Sequence, residues 1–304
     1  MKLQVVLALD AGTTSVRTLA VSPSAEILTT SQQEFNQIYP KPGLIEHDPE
    51  EIWLAAANTL KEVSQRVAEM GHDVVCIGIT NQRETSIIWD QDSGKPLHNA
   101  IVWQDRRTAD RCQELLEQGY LNEIRHKTGL VLDPYFSASK FEWMINSSSV
   151  APGMKFLLGT VDSWLIWKLT GGEVHATEPS NASRSMLFDL NQGKWSDSLC
   201  DVFSVPIDSL PEIHSTSGHF GSTLTDGPLG KKVPIRSAIG DQQSSLFGQA
   251  CFKPGDTKNT YGTGSFMLTN IGKETPTIND GLITTVAWKL DSKSPLTYAV
   301  EGSI

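Results

Sequence analysis

Along the first 34 residues the apolar positions fall into three short blocks, 4–10, 15–21 and 26–34, separated by small and polar residues. Val16, Leu19 and Val21 suit an extended chain and SPSAE suits a turn, so the pattern predicts three strands joined by short connections. The period then changes. Trp53, Ala56, Leu60, Val63, Val67 and Met70 recur at helical spacing, and Gly71 ends the run. Asp48 stands at the N-cap position, Pro49 suits the first helical position, and Glu51 is placed to close a capping box. DVVCIGIT, residues 73–80, is the unbroken apolar run of a buried central strand. A second short strand, 85–89, follows the polar corner Asn81-Gln82-Arg83-Glu84. The opening order is therefore β-β-β-α-β.

Farther on, FLLGTVDSWLIWKLTG (156–171) carries apolar residues at helical intervals, ends in glycine, and reads as a helix. Residues 237–239 form a short apolar stretch before Gly240-Asp241, where a helical pattern begins. The layout then restarts. NTYGTGSFMLTN (259–270) reads as strand, Gly-Thr-Gly turn, strand, and GLITTVAWKL and SPLTYAVEGSI add alternating segments. This echoes residues 4–34 as three strands with a glycine-and-threonine turn after the first, the layout of a duplicated unit. A boundary is expected near residue 250.

Bulk properties narrow the function. A chain of 304 residues corresponds to about two domains. With 39% hydrophobic and 20% charged residues it has the ordinary globular balance. A net charge of −10 argues against a surface built for nucleic acid or anionic lipid. An anionic substrate remains open if metal ions and backbone amides hold it. Cys76, Cys112, Cys200 and Cys251 show no CxxC or His-linked spacing and read as reduced thiols. Residues 3–9 mimic the start of a signal peptide, but Gln4 interrupts the run, Asp10 ends it, and no cleavage site follows. No run reaches membrane-spanning length. The expectation is a soluble cytoplasmic protein without membrane insertion or a nucleic-acid partner.

Candidate chemistry concentrates at polar corners. A strand ending in Asp10 and running into Ala11-Gly12-Thr13-Thr14-Ser15, with Arg17 beyond, accepts residues that strands disfavour. It lacks the lysine of a Walker loop. Successive N–H groups and hydroxyls of such a turn can hold phosphate oxygens, and Asp10 can hold a hydrated magnesium ion. The plainer reading is a tight hairpin with self-capping hydroxyls; the second turn, Gly262-Thr263-Gly264, favours a polyphosphate bracketed across a cleft. Arg83 and Glu84 offer a donor beside an acceptor, as a polyhydroxylated substrate requires, though adjacent charges are more often solvated. Asp105-Arg106-Arg107 after Trp103 reads as the charged start of a helix, and Tyr135, Lys140 and Trp143 mostly as packing. Asp241, at a strand–helix junction, is an N-cap candidate, or a base that orients a substrate hydroxyl and takes its proton. The histidines show no metal-ligand spacing.

In order, LDAGTTS, GITNQRET, IVWQDRR, DPYFSASK, GTVDSWLIWKLT, NASRSMLF, GDQQSSLFGQ and NTYGTGSFML closely resemble the FGGY carbohydrate kinases, in particular the members acting on glycerol. The resemblance implies an α/β, actin-like ATPase (ribonuclease-H-like) fold: one complete domain, 1–250, plus the opening β-meander of a second, 251–304. It implies ATP and Mg²⁺ as cofactors, glycerol as substrate, sn-glycerol 3-phosphate as product, and a homodimer or homotetramer. Arg83, Glu84, Tyr135 and Asp241 match the positions that grip glycerol hydroxyls, with Gln242 also at the substrate. Trp103 and Phe266 match the aromatic residues flanking its carbon chain. Asp241 is similar to the family's general base. Thr13, Thr14, Ser15 and Arg17 match the first phosphate turn, with Asp10 near the metal; Gly262 and Thr263 match the second. The family's adenosine-binding residues would follow Ile304, so the expectation is most of a polyol pocket and half of a nucleotide site. The alternatives are a kinase for another polyol or sugar, and a polyol-binding fragment without turnover. TDGPLGKKVPIR does not reproduce the Gly-Gly-Lys-Gly-Gly-Thr-Arg loop through which some members bind fructose 1,6-bisphosphate.

Overall fold

Strand Gln4–Ala11 buries Val5, Leu7, Leu9 and Ala11, the odd positions of a period-two pattern, and is the centre of the larger sheet. It pairs antiparallel with Ser15–Val21, which pairs antiparallel with Ile27–Glu34. On its other side it pairs parallel with Asp73–Asn81, and that strand pairs parallel with Ile235–Gly240. These bounds follow the sequence pattern closely, because alternation and turn residues are local signals. The computed structural model describes residues 3–148, 150–151, 153–261, 265–274 and 282–303.

Helix Pro49–Glu69 covers the sheet and starts as expected, with the Asp48 carboxylate accepting from the Glu50 amide at 2.8 Å. Two details differ. Glu51 does not close a capping box; its carboxylate accepts from the backbone and side-chain amides of Asn36 at 2.8 and 2.9 Å, stapling the strand exit to the helix. The inner face is Ile52, Ala55, Ala56, Leu60, Val63 and Val67, whereas Trp53 is half-buried beneath the Lys168 ammonium and Met70 is exposed. The stripe is thus rotated from the Trp53–Met70 spacing because small alanines, not the bulky Trp, fit against the strands.

The expected helix over 156–171 is a strand, Phe156–Gly159, followed by helix Val161–Leu169. Phe156–Gly159 pairs antiparallel with Ile87–Asp90. A Cβ on Gly159 would lie 2.6 Å from the Ser163 Cβ and 3.1 Å from the Trp89 ring, so the corner closes only around glycine. The strand expected over 85–89 is shifted to Ile87–Asp90, since Glu84 holds a left-handed φ of 60° and delays the extended chain. Residues 105–107 precede their helix, Ala109–Glu117; Asp105 and Arg107 form a buried ion cluster with Glu46, while Arg106 points outward to Asp133.

The second sheet contains Thr257–Tyr261, Ser265–Gly272, Ile283–Trp288 and Thr297–Ser303. It is not a three-strand copy of the first meander. Thr297–Ser303 lies between Ser265–Gly272 and Ile283–Trp288, antiparallel to both. Sequence spacing could not show that the last strand enters the middle. Helix Asp241–Gly248 joins the sheets: it continues strand Ile235–Gly240, and its Leu246 packs with Leu268, Ala287, Trp288 and Ala299. All four cysteines are free thiols. Among the described residues no helix is long and apolar enough to cross a membrane.

Candidate functional site

Three parallel strands of the first sheet end side by side. Gly240 lies opposite Asn81, and Asn81 opposite Ala11. The residues just past these ends therefore converge, the usual place for a ligand in a parallel sheet. They are the turn after Ala11, the corner Gln82-Arg83-Glu84, and Asp241-Gln242 at the start of a helix.

The first turn closes through the Gly12 amide on the Ser15 carbonyl at 3.0 Å. Gln82 locks it to the neighbouring strand, its amide on the Ala11 carbonyl at 2.8 Å and its side chain on the Gly12 carbonyl at 3.0 Å. Asp10 and Arg17 are cross-strand partners and form an ion pair at 2.8 Å that opens to solvent. Thr14 is exposed, and the Ser15 hydroxyl accepts from Gln32 at 3.0 Å. The Thr13 hydroxyl accepts from the Trp103 indole at 3.1 Å, tying the turn to the wall of the neighbouring cavity. Gly262 and Thr263 of the second turn lie outside the described residues.

The cavity holds about 190 Å³ and is lined by Thr13, Gln82, Arg83, Glu84, Trp103, Tyr135, Asp241, Gln242, Thr260 and Phe266. Every substrate residue expected from the sequence is among them. Trp103 stands edge-on to both Tyr135 and Phe266, with ring centroids 5.7 and 6.1 Å apart, giving one apolar wall. A polar wall faces it. Arg83, 3% exposed, places Nε 3.4 Å from an Asp241 oxygen and 3.9 Å from a Glu84 oxygen. It reaches them by passing over Gly240, where a Cβ would stand 2.8 Å from the Arg83 Cδ.

Glu84 is buried in its left-handed conformation and accepts from Arg184 Nε at 2.6 Å. A non-glycine residue held there is strain that the surroundings enforce. They do so through its backbone carbonyl, which accepts from the hydroxyls of Ser86 and Ser137.

Asp241 begins its helix and accepts from the Gln242 amide at 2.7 Å. About a third of its side-chain surface, 36%, opens to the cavity, and protein surrounds the rest. Burial pushes its carboxyl up to about 6; Arg83 opposes that rise and Glu84 adds to it. Burial also pushes the Tyr135 phenol up, so it stays a neutral donor and acceptor near pH 7. Gln242 is fixed by a hydrogen bond from Lys258, whose ammonium also reaches Thr260 at 2.8 Å. Burial lowers Lys258 to about 8, with Arg83 pushing the same way.

The sequence reading did not select Gln82, Thr260, Arg184, Lys258 or Glu301. Glu301 carried the clearest signal, a lone acid in the alternating strand TYAVEGS. Lys140 has a plain structural role: its buried ammonium donates to the Pro134 and Tyr135 carbonyls and shapes the turn carrying Tyr135.

The family model "FGGY family of carbohydrate kinases, N-terminal domain" matches residues 5–248. The chain belongs to this family. Glycerol kinase of Alkaliphilus oremlandii is 50% identical over 303 residues, covering 98% of this chain and 60% of that protein. Glycerol kinase of Fusobacterium nucleatum is 47% identical over 304 residues, covering 98% and 61%. Among solved structures, Plasmodium falciparum glycerol kinase with ADP superimposes with a TM-score of 0.94 at 38% identity, covering all of this chain and 61% of that one. Gluconate kinase of Lactobacillus acidophilus, at 20% identity and a TM-score of 0.87, shares the fold. This FGGY chain spans about three fifths of the length of the curated relatives it matches. Its fold is the α/β, actin-like ATPase fold expected from the sequence.

Proposed function

We propose that this FGGY chain provides the polyol site and the first phosphate turn of an ATP-dependent glycerol kinase. The observation that carries the reading is the small two-faced cavity. Its 190 Å³ falls below the range of about 300–1,000 Å³ typical of larger ligands, and it sets three aromatic rings opposite a buried Arg–Glu pair and a half-open Asp. A three-carbon polyol needs both faces: carbon against the rings, and hydroxyls that donate and accept at once. Relatives named glycerol kinase at 50% and 47% identity support the same substrate.

Arg83 donates to a substrate hydroxyl while Glu84 accepts from one. Asp241, ionised above about pH 6, takes the proton from the attacking primary hydroxyl as that oxygen bonds to the γ-phosphorus. The bond from that phosphorus to the ADP oxygen breaks, releasing sn-glycerol 3-phosphate and ADP. The turn 12–15 offers amides and hydroxyls to phosphate oxygens. Asp10, half-buried near the end of its strand, has the donor chemistry suited to a magnesium ion that keeps its waters and phosphate ligands. When bound, Mg²⁺ neutralises phosphate charge and orients the nucleotide. Arg17 is then free to turn from Asp10 toward phosphate.

Calorimetric titration of the chain with glycerol, xylulose and gluconate tests the substrate. Saturable heat is expected for glycerol, with weaker or no binding of the two longer polyols. Tighter binding of xylulose or gluconate overturns it. Glycerol-dependent release of ADP from MgATP tests transfer itself; glycerol heat without that release identifies a polyol-binding unit instead.

A further inference from the structure

Behind the cavity wall Arg83 and Glu84 join a buried ion network whose other members, Glu301 and Arg184, make none of the proposed substrate contacts. Glu301, 2% exposed on strand Thr297–Ser303 of the second sheet, grips Arg83 with both oxygens: Nη1 at 2.6 Å and Nη2 at 3.1 Å. The same carboxylate accepts from Arg184 Nη2 at 3.0 Å, and Arg184 Nε in turn holds Glu84 at 2.6 Å. Arg184 is fully buried and lies over the Tyr135 and Phe136 rings, 5.4 and 5.1 Å from their centroids. Gln243 accepts from Arg83 Nη1 at 3.3 Å and is itself anchored to Thr285 and Val286 of the second sheet.

Geometry decides what this arrangement does. A guanidinium presents its donors in a fixed planar fork. With both Nη groups bound by Glu301, Arg83 can present only its Nε edge to Asp241 and the cavity. The partner that fixes this orientation comes from the second sheet, 218 residues away in sequence. We propose that Glu301 is a positioning residue for the polyol site: it sets the Arg83 edge, and through Arg184 it sets Glu84, so the site is assembled only when the second sheet is docked. The proposal rests on the polyol reading of the cavity and adds a determinant that does not touch substrate.

Charge makes the role measurable. Arg83 and Arg184 are balanced by Glu84 and Glu301, and Arg184 and Arg83 hold the Glu301 carboxyl low against the upward push of burial. Asp241 faces Arg83 and Glu84 from the adjoining corner, Gln242 on its own helix, Lys258 from strand Thr257–Tyr261, and Tyr135 across the cavity. Without Glu301 to hold both Nη groups, the Arg83 Nε edge is no longer fixed 3.4 Å from Asp241, and loss of that cation favours the protonated carboxyl.

The test uses this chain and Glu301→Gln, each titrated with glycerol by calorimetry and, with ¹³C-labelled aspartate, followed by NMR through the Asp241 carboxyl. Glycerol affinity is expected to fall roughly tenfold or more, as for loss of a charge-assisted contact. The Asp241 midpoint is expected to rise by about one pH unit as Arg83 leaves its place. An unmoved or lowered midpoint, the response of an Arg83 that keeps its place without Glu301, overturns the proposal whatever the affinity does. If the unsubstituted chain fails to bind glycerol, the polyol reading fails, and the midpoint alone still decides the role of Glu301. If Glu301→Gln does not fold, Glu301→Gln with Arg184→Gln removes one charge of each sign; wild-type glycerol binding by that double variant overturns positioning, and its loss supports it.

Discussion

Asp241 binds a proton more tightly in the folded chain than in the unfolded one, and this has two consequences of opposite value. Its carboxyl rises from 3.8 to about 6, so folding takes up a proton between those limits and stability falls as pH rises through that window. Asp241→Asn removes the cost. Because the side chain opens to the cavity, the gain at neutral pH is at most about 1 kcal/mol, visible as a higher melting temperature than wild type. The same variant is expected to lose phosphoryl transfer by about 10²–10⁴-fold while calorimetry still detects glycerol. Near-wild-type turnover would remove Asp241 from its role. Proton removal also fixes the sign of the pH dependence. kcat/KM should climb as Asp241 ionises, with an apparent midpoint near 6, and flatten above it. A rate that falls across pH 5–7 would point to a different base.

At the level of elements, the strand–helix junction at Gly240-Asp241 shows why one small residue controls a side chain from another strand. Gly240 has φ −59°, so alanine is acceptable to its backbone. The obstacle is space, since a Cβ would stand 2.8 and 2.9 Å from Cδ and Cγ of Arg83. Gly240→Ala should therefore leave far-ultraviolet circular dichroism unchanged and weaken glycerol roughly tenfold by displacing the Arg83 fork. Unchanged affinity would show that Arg83 reaches the cavity by another route. Elements were legible in the sequence wherever the cause was local. Asp48 caps its helix, and Val5, Leu7 and Leu9 alternate into the core, because both signals lie within a few residues. Residues 156–171 were misread because apolar spacing in a short run fits a buried strand and a buried helix equally; Gly159, placed by contact with Ser163 and Trp89, decided between them. Asp241 stood out as a loop-end acid, and Arg83-Glu84 as an unusual pair after a buried strand. Glu301 and Arg184 did not, since their partners lie 100 to 218 residues away and no local period reports such a pairing.

For the whole molecule, the cavity is a joint between two sheets. Arg83, Glu84 and Trp103 come from the first sheet and its flanking segments, and Phe266 from strand Ser265–Gly272 of the second. Helix Asp241–Gly248 connects them, and Lys258 of the second sheet fixes Gln242. A ligand filling this joint touches both sides at once, so its binding energy opposes their separation. At about 100 times its dissociation constant a ligand stabilises the folded state by about 2.7 kcal/mol. Here that gain must appear on both sheets. Amide hydrogen exchange with and without saturating glycerol should slow at 82–84 after strand Asp73–Asn81, and also along strands Ser265–Gly272 and Thr297–Ser303. The slowing in Thr297–Ser303 is the informative part, because Glu301 meets substrate only indirectly, through Arg83 and, by way of Arg184, through Glu84. Protection confined to the first sheet would mean that the second sheet opens independently of the ligand. Protection on both sides would make polyol binding and sheet docking one event, in which glycerol completes the surface that later excludes water from phosphoryl transfer.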